Sequence, residues 1–231
     1  MAGYKYEELR LYTMTNHFII RKYRNRDRKS VRKIACDTGF LGEPVECFFD
    51  GRDLFADFMT VYYTDFEPES CFVAEKGGKV IGYLIGTKNR KKMANTFIKN
   101  IFPKLFIKTL IGGMYFKRRN LKFFLFVLVS FLKGQFFTKI DLKKYPALFH
   151  INLKKDYRNK GQGRILVNNY IEYLKHKNIL GVHAATHSGG AGKFFKKNNF
   201  TVLYEKKRSY FSHVTGRDME YRCYGKVLEI K

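Results

Sequence analysis

The polar and apolar pattern of "HFIIRKY", residues 17–23, with three consecutive apolar residues, reads as a first strand. In the following "RNRDRKSVRKIACDTGFLG", Val31, Ile34 and Ala35 recur at helical spacing, which predicts a helix capped at Asp27 and ended at Gly39. Two β-rich runs flank Gly77-Gly78 in "SCFVAEKGGKVIGYLIG" and predict a hairpin. Strand pattern returns in "YPALFHINL", followed by a helix from Gly161 to about Lys177 and a strand in "LGVHAATH". A short helix in "GGAGKFFKKNN" and closing strands in "FTVLYEKKRSYF" and "EYRCYGKVLEI" complete a mixed α/β pattern. No linker or repeat interrupts it, so residues 1–231 read as one domain.

The stretch from about Asn89 to Lys144 stands apart as a basic, apolar and helical insertion. Within "LKFFLFVLVSFLKG", residues Phe123 to Leu132 are apolar except for Ser130, and "IFPKLFIKTLIGGMYF" lies just upstream. A membrane-spanning helix needs about 20 apolar residues, and lysines interrupt both flanks here. The expectation is a buried or groove-covering helix, with peripheral membrane contact as the second reading.

Charge changes this picture little. The chain carries 45 Lys and Arg against 20 Asp and Glu, a net charge of +25 that would attract polyanions. That charge is spread along the chain without a basic arm or a nucleic-acid-binding signature, which argues for a solvated Lys-rich surface and against nucleic acid as the partner. Cys36, Cys47, Cys71 and Cys223 are far apart, with no Cys-x-x-Cys pair and no His at zinc spacing, so neither a metal site nor a disulfide framework is expected. The start, "MAGYKYEELRLYTMTNHF", has no apolar run of signal-peptide type, and the expected location is a reducing cytoplasm.

The densest chemistry lies in "FHINLKKDYRNKGQGRIL", residues 149–166. A strand feeds a glycine-punctuated turn that opens a helix. The first helical N–H groups have no partner and the helix dipole is positive there, so such a turn cradles an anion, phosphate above all. Gly161 and Gly163 admit close approach, and Arg158, Lys160 and Arg164 add charge. Neither the Walker pattern nor the dinucleotide fingerprint is present.

"RNKGQG" resembles the Arg/Gln-x-x-Gly-x-Gly/Ala signature of the GNAT superfamily of acyl-CoA-dependent N-acetyltransferases. The strand "HINL", the helix "GRILVNNYIEYLKHKN", the strand "GVHAAT" and the segment "SGGAGKFFKKNNF" follow in GNAT order. "YPALFHI", "GVHAA", "RDRKSVRKIACDTGFLG" and "GYLIG" are most similar to the branch related to bacterial O-GlcNAcase-like acetyltransferases. The resemblance implies an α/β GNAT fold: a mixed, mostly antiparallel central sheet splayed between its fourth and fifth strands and flanked by helices, with the insertion between strands three and four. It implies acetyl-CoA as co-substrate, no metal, and direct acyl transfer to the primary amine of a small molecule or peptide in a ternary complex.

Carried over residue by residue, main-chain groups of Ile151, Asn152 and Leu153 would bind the pantetheine arm, with the Leu153 N–H facing the thioester carbonyl. The turn Arg158, Asn159, Lys160, Gly161, Gln162 and Gly163, with Arg164, would hold the pyrophosphate. Ser188 stands where the family often has Asn and would cap the next helix or touch the cofactor. His183 matches a position where some members carry a base, and His150 is a second candidate; an imidazole with an ordinary pKa of about 6.5 suits that task. For each, a histidine satisfied by its neighbours is the plain alternative, and His187 reads as a loop or capping residue.

One departure matters for mechanism. Phe195 occupies the cofactor-site position of the family's tyrosine acid, and Asn199 replaces a glycine. Phe195 cannot donate a proton to the departing thiolate, which leaves water or a side chain such as Tyr204, or else a catalytically weak acyl-CoA-binding or sensing module. Asp37, Thr38, Asp65 and Glu67 are candidates to face a cationic amine, with ordinary surface or helix-end roles as the alternative. A carboxylate-lined pocket would suit a polyamine or aminoglycoside, an apolar one an amino-acid or peptide N-terminus. Homodimers are common among such folds.

Overall fold

The computed structural model describes residues 13–15 and 18–229. Its elements run β1 (Thr13–Thr15), β2 (Phe18–Lys22), α1 (Arg28–Asp37), α2 (Arg52–Val61), β3 (Cys71–Lys76), β4 (Lys79–Thr87), α3 (Arg90–Thr96), α4 (Phe102–Ile111) and α5 (Arg118–Leu132). There follow β5 (Ala147–Leu153), α6 (Gln162–His176), β6 (Gly181–Thr186), α7 (Gly189–Lys197), β7 (Thr201–Arg208), α8 (Ser212–Thr215) and β8 (Met219–Val227). The strands form one sheet in the order β1-β2-β3-β4-β5-β6-β8-β7. Every neighbouring pair is antiparallel except β5 and β6, which are parallel and paired only at Ala147↔Val182 and Leu148↔His183. With the short β1 counted, the splay expected between the fourth and fifth strands lies between β5 and β6.

Both faces of the sheet are covered, which explains why β4 reads as a nearly continuous apolar run. On one face α6 and α7 bury Leu166, Tyr170, Leu174 and Phe195 against Phe72, Leu84, Phe149 and Val182. On the other, α1, α2 and the insertion pack Ile34, Phe48, Phe49 and Leu54 against Val73, Tyr83 and Ile85. The strand period of two sends Phe149, Ile151 and Leu153 to the α6 face and His150 and Asn152 to the insertion face. The Tyr170 hydroxyl donates to the carbonyls of Thr87 (3.0 Å) and Leu148 (3.2 Å), fixing α6 where β5 and β6 part.

Several expectations are met closely. The hairpin turns at Gly77 and Gly78, both left-handed with φ of 54° and 71°, as a two-residue turn of this hand needs. Helix α6 begins and ends within a residue of its expected bounds. The insertion is helical through α3, α4 and α5; before Pro103 the chain widens into a π-turn at Phe97–Ile101, as the proline ring and its missing N–H require. Asp27 precedes α1 but does not cap it with its side chain. Its carboxylate instead accepts from Arg21 (2.6 and 2.8 Å) and the Arg24 N–H (2.8 Å), and these donors hold it below the usual carboxylate range against the opposing effect of burial.

Helix α2 was not legible in the sequence, because "DLFADFMTVYYTDF" is apolar on too many sides to show one stripe. The reading of "LKFFLFVLVSFLKG" as a buried helix also needs correction. α5 packs Phe123 and Phe124 against the protein but leaves Leu121, Leu125, Leu128 and Leu132 in solvent. What it buries completely are Asn120 and Ser130. Asn120 accepts from the Asp50 N–H (2.7 Å) and donates to the carbonyls of Asp50 (3.1 Å) and Met114 (2.9 Å). Asn120→Ala would strand buried polar groups and cost ~1–3 kcal/mol. At ~2–4 °C per kcal/mol in a chain of this size, a melting scan should show a drop of several degrees; an unchanged melting temperature would mean α5 is not pinned there.

Candidate acyl-transfer site

Beyond Leu148 and His183 the strands β5 and β6 diverge, and the ladder decides which groups of β5 face the gap. The Lys154 N–H donates to the Ile81 carbonyl at 2.9 Å, so by alternation His150 and Asn152 also turn their main-chain groups to β4. Those of Phe149, Ile151 and Leu153 face the gap. Of the three residues expected to run beside pantetheine, Ile151 and Leu153 turn their main-chain groups to the gap. Asn152 is engaged with β4, and its side-chain amide donates to the Tyr83 hydroxyl at 2.8 Å.

The turn after β5 is held from inside. The Arg158 guanidinium donates to the carbonyls of Leu153 (3.0 Å) and Gly42 (2.8 Å), tying the turn to the loop after α1, and Lys160 Nζ donates to the Asp156 carbonyl (2.6 Å). Gln162 is buried, with the carbonyls of Tyr157 and Lys160 facing its side-chain amide, each 3.1 Å from the amide end that donates to them. Asn159 (φ 59°) and Gly161 (φ 90°) are left-handed, and no side chain caps α6. The first N–H groups of this 15-residue helix therefore point outward beside exposed Arg164, the geometry of an anion cradle. Nothing lies within 4 Å of where a Cβ on Gly161 would stand.

The next segment is built for packing. Ser188 caps α7 by accepting from the Ala191 N–H at 3.4 Å. Phe195 is buried between the rings of Phe149 (6.0 Å), Phe200 (5.6 Å) and Tyr224 (5.2 Å). Tyr204 is no ready substitute acid: burial raises its pKa further, and its hydroxyl is buried without a partner among the described residues.

Both candidate bases lie on the insertion face, His150 against the Tyr63 ring at 5.7 Å. His183 is buried, and its Nδ1 is 3.0 Å from the Tyr145 carbonyl. A carbonyl only accepts, so the neutral ring carries its proton on Nδ1 and keeps the Nε2 lone pair. Burial pushes both imidazoles down to about 4; the charge of Arg90 acts in the same direction on both. This corrects the expectation of an ordinary histidine pKa. Each is neutral at pH 7, ready to accept a proton but weakly basic.

His187, expected to be a loop or capping residue, lies at the end of β6. Its Nδ1 meets the Glu220 carbonyl (2.9 Å), and its Nε2 accepts from the Tyr210 hydroxyl (2.5 Å). Burial lowers this histidine to about 4 and raises Tyr210 to about 12. Beside them Arg208 is buried, with its guanidinium 3.4 Å above the Tyr221 ring and its Nε unpaired; no carboxylate among the described residues pairs with it. No local signal in the sequence marks this group, because β6, β7 and β8 bring it together from distant positions.

A cavity of about 330 Å³ is lined by His183, Arg90, Lys91, Asn95 and Thr138 with apolar neighbours. The acidic candidates lie elsewhere and are engaged. Asp37 pairs with Lys33 and Arg52, and Asp65 with Arg28. Glu67 accepts from Tyr62, Ser70, Thr87 and the Lys88 N–H, while the Thr38 hydroxyl donates to the Ile34 carbonyl. Among the described residues no group of three or more His, Cys, Asp or Glu is placed to hold a metal ion.

Comparison with known proteins agrees with this geometry. The model of the acetyltransferase (GNAT) family matches residues 110–200, which take in β5, the basic turn, α6, β6 and α7. Among solved structures, SsHAT is similar at a TM-score of 0.68 and 22% identity, over 91% of this chain and 98% of that one. A polyamine N-acetyltransferase of Drosophila melanogaster matches at 0.58 and 11%, covering 91% and 100% of the two chains. The putative acetyltransferase yncA of Salmonella typhimurium, solved with its cofactor acetyl-CoA, matches at 0.54 and 13%, covering 94% and 96%. No curated protein sequence matches the chain.

Buried His183 and half-buried His150 and His187 generate a stability prediction. Their folded pKa lies below the ordinary value of about 6.5, so the folded state binds fewer protons than the unfolded one in between. Their contribution is present above pH ~6.5 and is lost as the pH falls towards 4. For His183 alone it is on the order of 3 kcal/mol. The melting temperature should fall steadily from pH 7 to pH 4.5; a flat profile would contradict the buried, neutral assignment. Together, the sheet with its parallel β5–β6 pair and the likeness to these solved structures show the fold of the GNAT acetyltransferases, whose family model matches residues 110–200 of this chain.

Proposed function

We propose that the protein transfers an acetyl group from acetyl-CoA to the primary amine of a small acceptor that also carries an anionic group. The observation behind the first half is the uncapped N-terminus of α6, with left-handed Asn159 and Gly161, standing next to the gap that Ile151 and Leu153 face. Coenzyme A offers what these two features select: a pyrophosphate for the N–H groups of the turn, and an amide-bearing arm that extends β5 like an added strand. The Leu153 N–H then stabilises the oxyanion that develops on the thioester carbonyl as the amine attacks. The carbon–sulfur bond breaks as the carbon–nitrogen bond forms; the ammonium proton is lost and the thiolate takes up a proton. His183 and His150 are the base candidates on the insertion face. Because both are weakly basic, the amine must reach the thioester largely deprotonated. Water serves as acid, since Phe195 cannot.

The acceptor's anion follows from charge. Among the described residues the cavity beside His183 is lined by half-buried Arg90 and exposed Lys91 and by no carboxylate, and buried Arg208 has no acidic partner. Asp37, Asp65 and Glu67 are taken by partners elsewhere. A polyamine would meet repulsion here, whereas an amine with a carboxylate or phosphate would be paired.

Two experiments test the two halves. Gly161→Glu forces a side chain into left-handed backbone and sets a carboxylate in the phosphate path. It should lower acetyl-CoA affinity at least 10-fold in calorimetric titration while the protein remains folded, and equal affinity would rule out the cradle. In a thiol-release assay, amines bearing a carboxylate or phosphate should outperform polyamines. Arg208→Met should raise KM for them more than it lowers kcat, with Arg208→Lys recovering part of the loss; faster turnover of polyamines would overturn the charge argument.

A further inference from the structure

The insertion carries its polarity inside out. Leu121, Leu125, Leu128 and Leu132 form one stripe of α5 at spacings of four, three and four residues, and are between 52% and 75% exposed. Phe116 before the helix and Phe137 after it are 78% and 70% exposed, while Asn120 and Ser130 on the inner side are fully buried. A surface helix of a water-soluble protein shows the reverse arrangement, and an apolar face of this extent marks an interaction surface. Hydrogen bonds hold the helix in that orientation. Besides the Asn120 contacts with Asp50, the Ser130 hydroxyl donates to Gln135 (2.8 Å), whose amide donates to the Ser209 hydroxyl (3.0 Å).

Charge says what the surface meets. From Lys88 to Ile140 the chain has 13 Lys and Arg and not one Asp or Glu. Lys117, Arg118 and Lys122 are exposed alongside the leucine stripe. We propose that the insertion docks the protein on an anionic bilayer surface, with α5 lying in the interface, its leucines at the acyl boundary and its basic side chains among lipid phosphates. At 15 residues α5 lies on the membrane and does not cross it, and no helix among the described residues is long and apolar enough to span one. A second copy of the chain is the other natural cover for an apolar face. Two copies meeting here would press acid-free basic rims together, a repulsion that an anionic surface converts to attraction. Since Phe123 and Phe124 pack into the cluster that holds Tyr63, and Tyr63 touches His150, the docked side is the sheet face that carries the candidate bases.

The test needs no turnover. The full chain is sedimented with phosphatidylcholine vesicles, with and without 30% phosphatidylglycerol, at low and high salt. Binding to the anionic vesicles is expected to be at least 10-fold tighter than to the neutral ones and to weaken with salt. Leu125→Asp with Leu132→Asp should reduce it at least 10-fold while leaving the melting temperature and acetyl-CoA binding unchanged, because both positions are exposed. Lys117→Glu with Arg118→Glu should reduce binding to anionic vesicles in the same way. Vesicle binding that survives the leucine substitutions would mean mere adsorption of a cationic protein and would overturn the proposal. Absence of binding would overturn it too, whether the face is covered by a second copy, seen as a concentration-dependent dimer in velocity sedimentation, or by another part of the chain.

Discussion

Two strands that pair for two residues and then part are the constraint on which the rest of this structure depends. β5 and β6 lie side by side at Leu148 and His183 and diverge beyond them, in the middle of a sheet. Main-chain groups in such a place need partners, and the fold satisfies one side of β5 through β4 while the other faces the gap. The Tyr170 hydroxyl bonds β4 and β5 at Thr87 and Leu148, where β6 leaves β5, and Arg158 grips Leu153 and Gly42 at the open end. The same divergence brings the N-terminus of α6 to the mouth of the gap. Scaffold and proposed anion cradle are thus one arrangement, and a substitution that closed the gap would remove both.

Charge organises what surrounds that gap. The acids on the α1 and α2 side are consumed in pairs, as Arg32 with Asp57 and Arg52 with Asp37 illustrate, whereas Arg90, Lys91 and Arg208 pair with no carboxylate among the described residues. His150 and His183 fit the same scheme. A site already rich in fixed positive charge disfavours imidazolium, and burial and Arg90 together keep His150 and His183 neutral. The insertion extends the positive surface outward without a single acid between Lys88 and Ile140.

Much of this was legible in the sequence where the signal is local. Gly77-Gly78 demanded a tight hairpin, and the run from Phe149 to Leu166 showed strand, turn and helix. What was not legible depends on distant contacts. Asn152 could not be seen to bond with β4 rather than face the gap, because ladder phase is set by pairing with Ile81 and Tyr83. The histidine pKa values follow from burial, which spacing does not reveal, and the joining of His187, Tyr210 and Arg208 needs three strands in register. α5 misled for a different reason: an apolar helix has the same sequence whether its leucines face a core or the outside.

The most direct measurement of the central claim is a calorimetric titration of the wild-type protein with acetyl-CoA, followed by thiol release from the same samples against anionic and cationic amines. The account predicts saturable one-to-one binding and turnover that depends on the amine. Binding without turnover on a broad panel would leave the cradle standing and contradict the transferase. No binding would contradict the cradle itself.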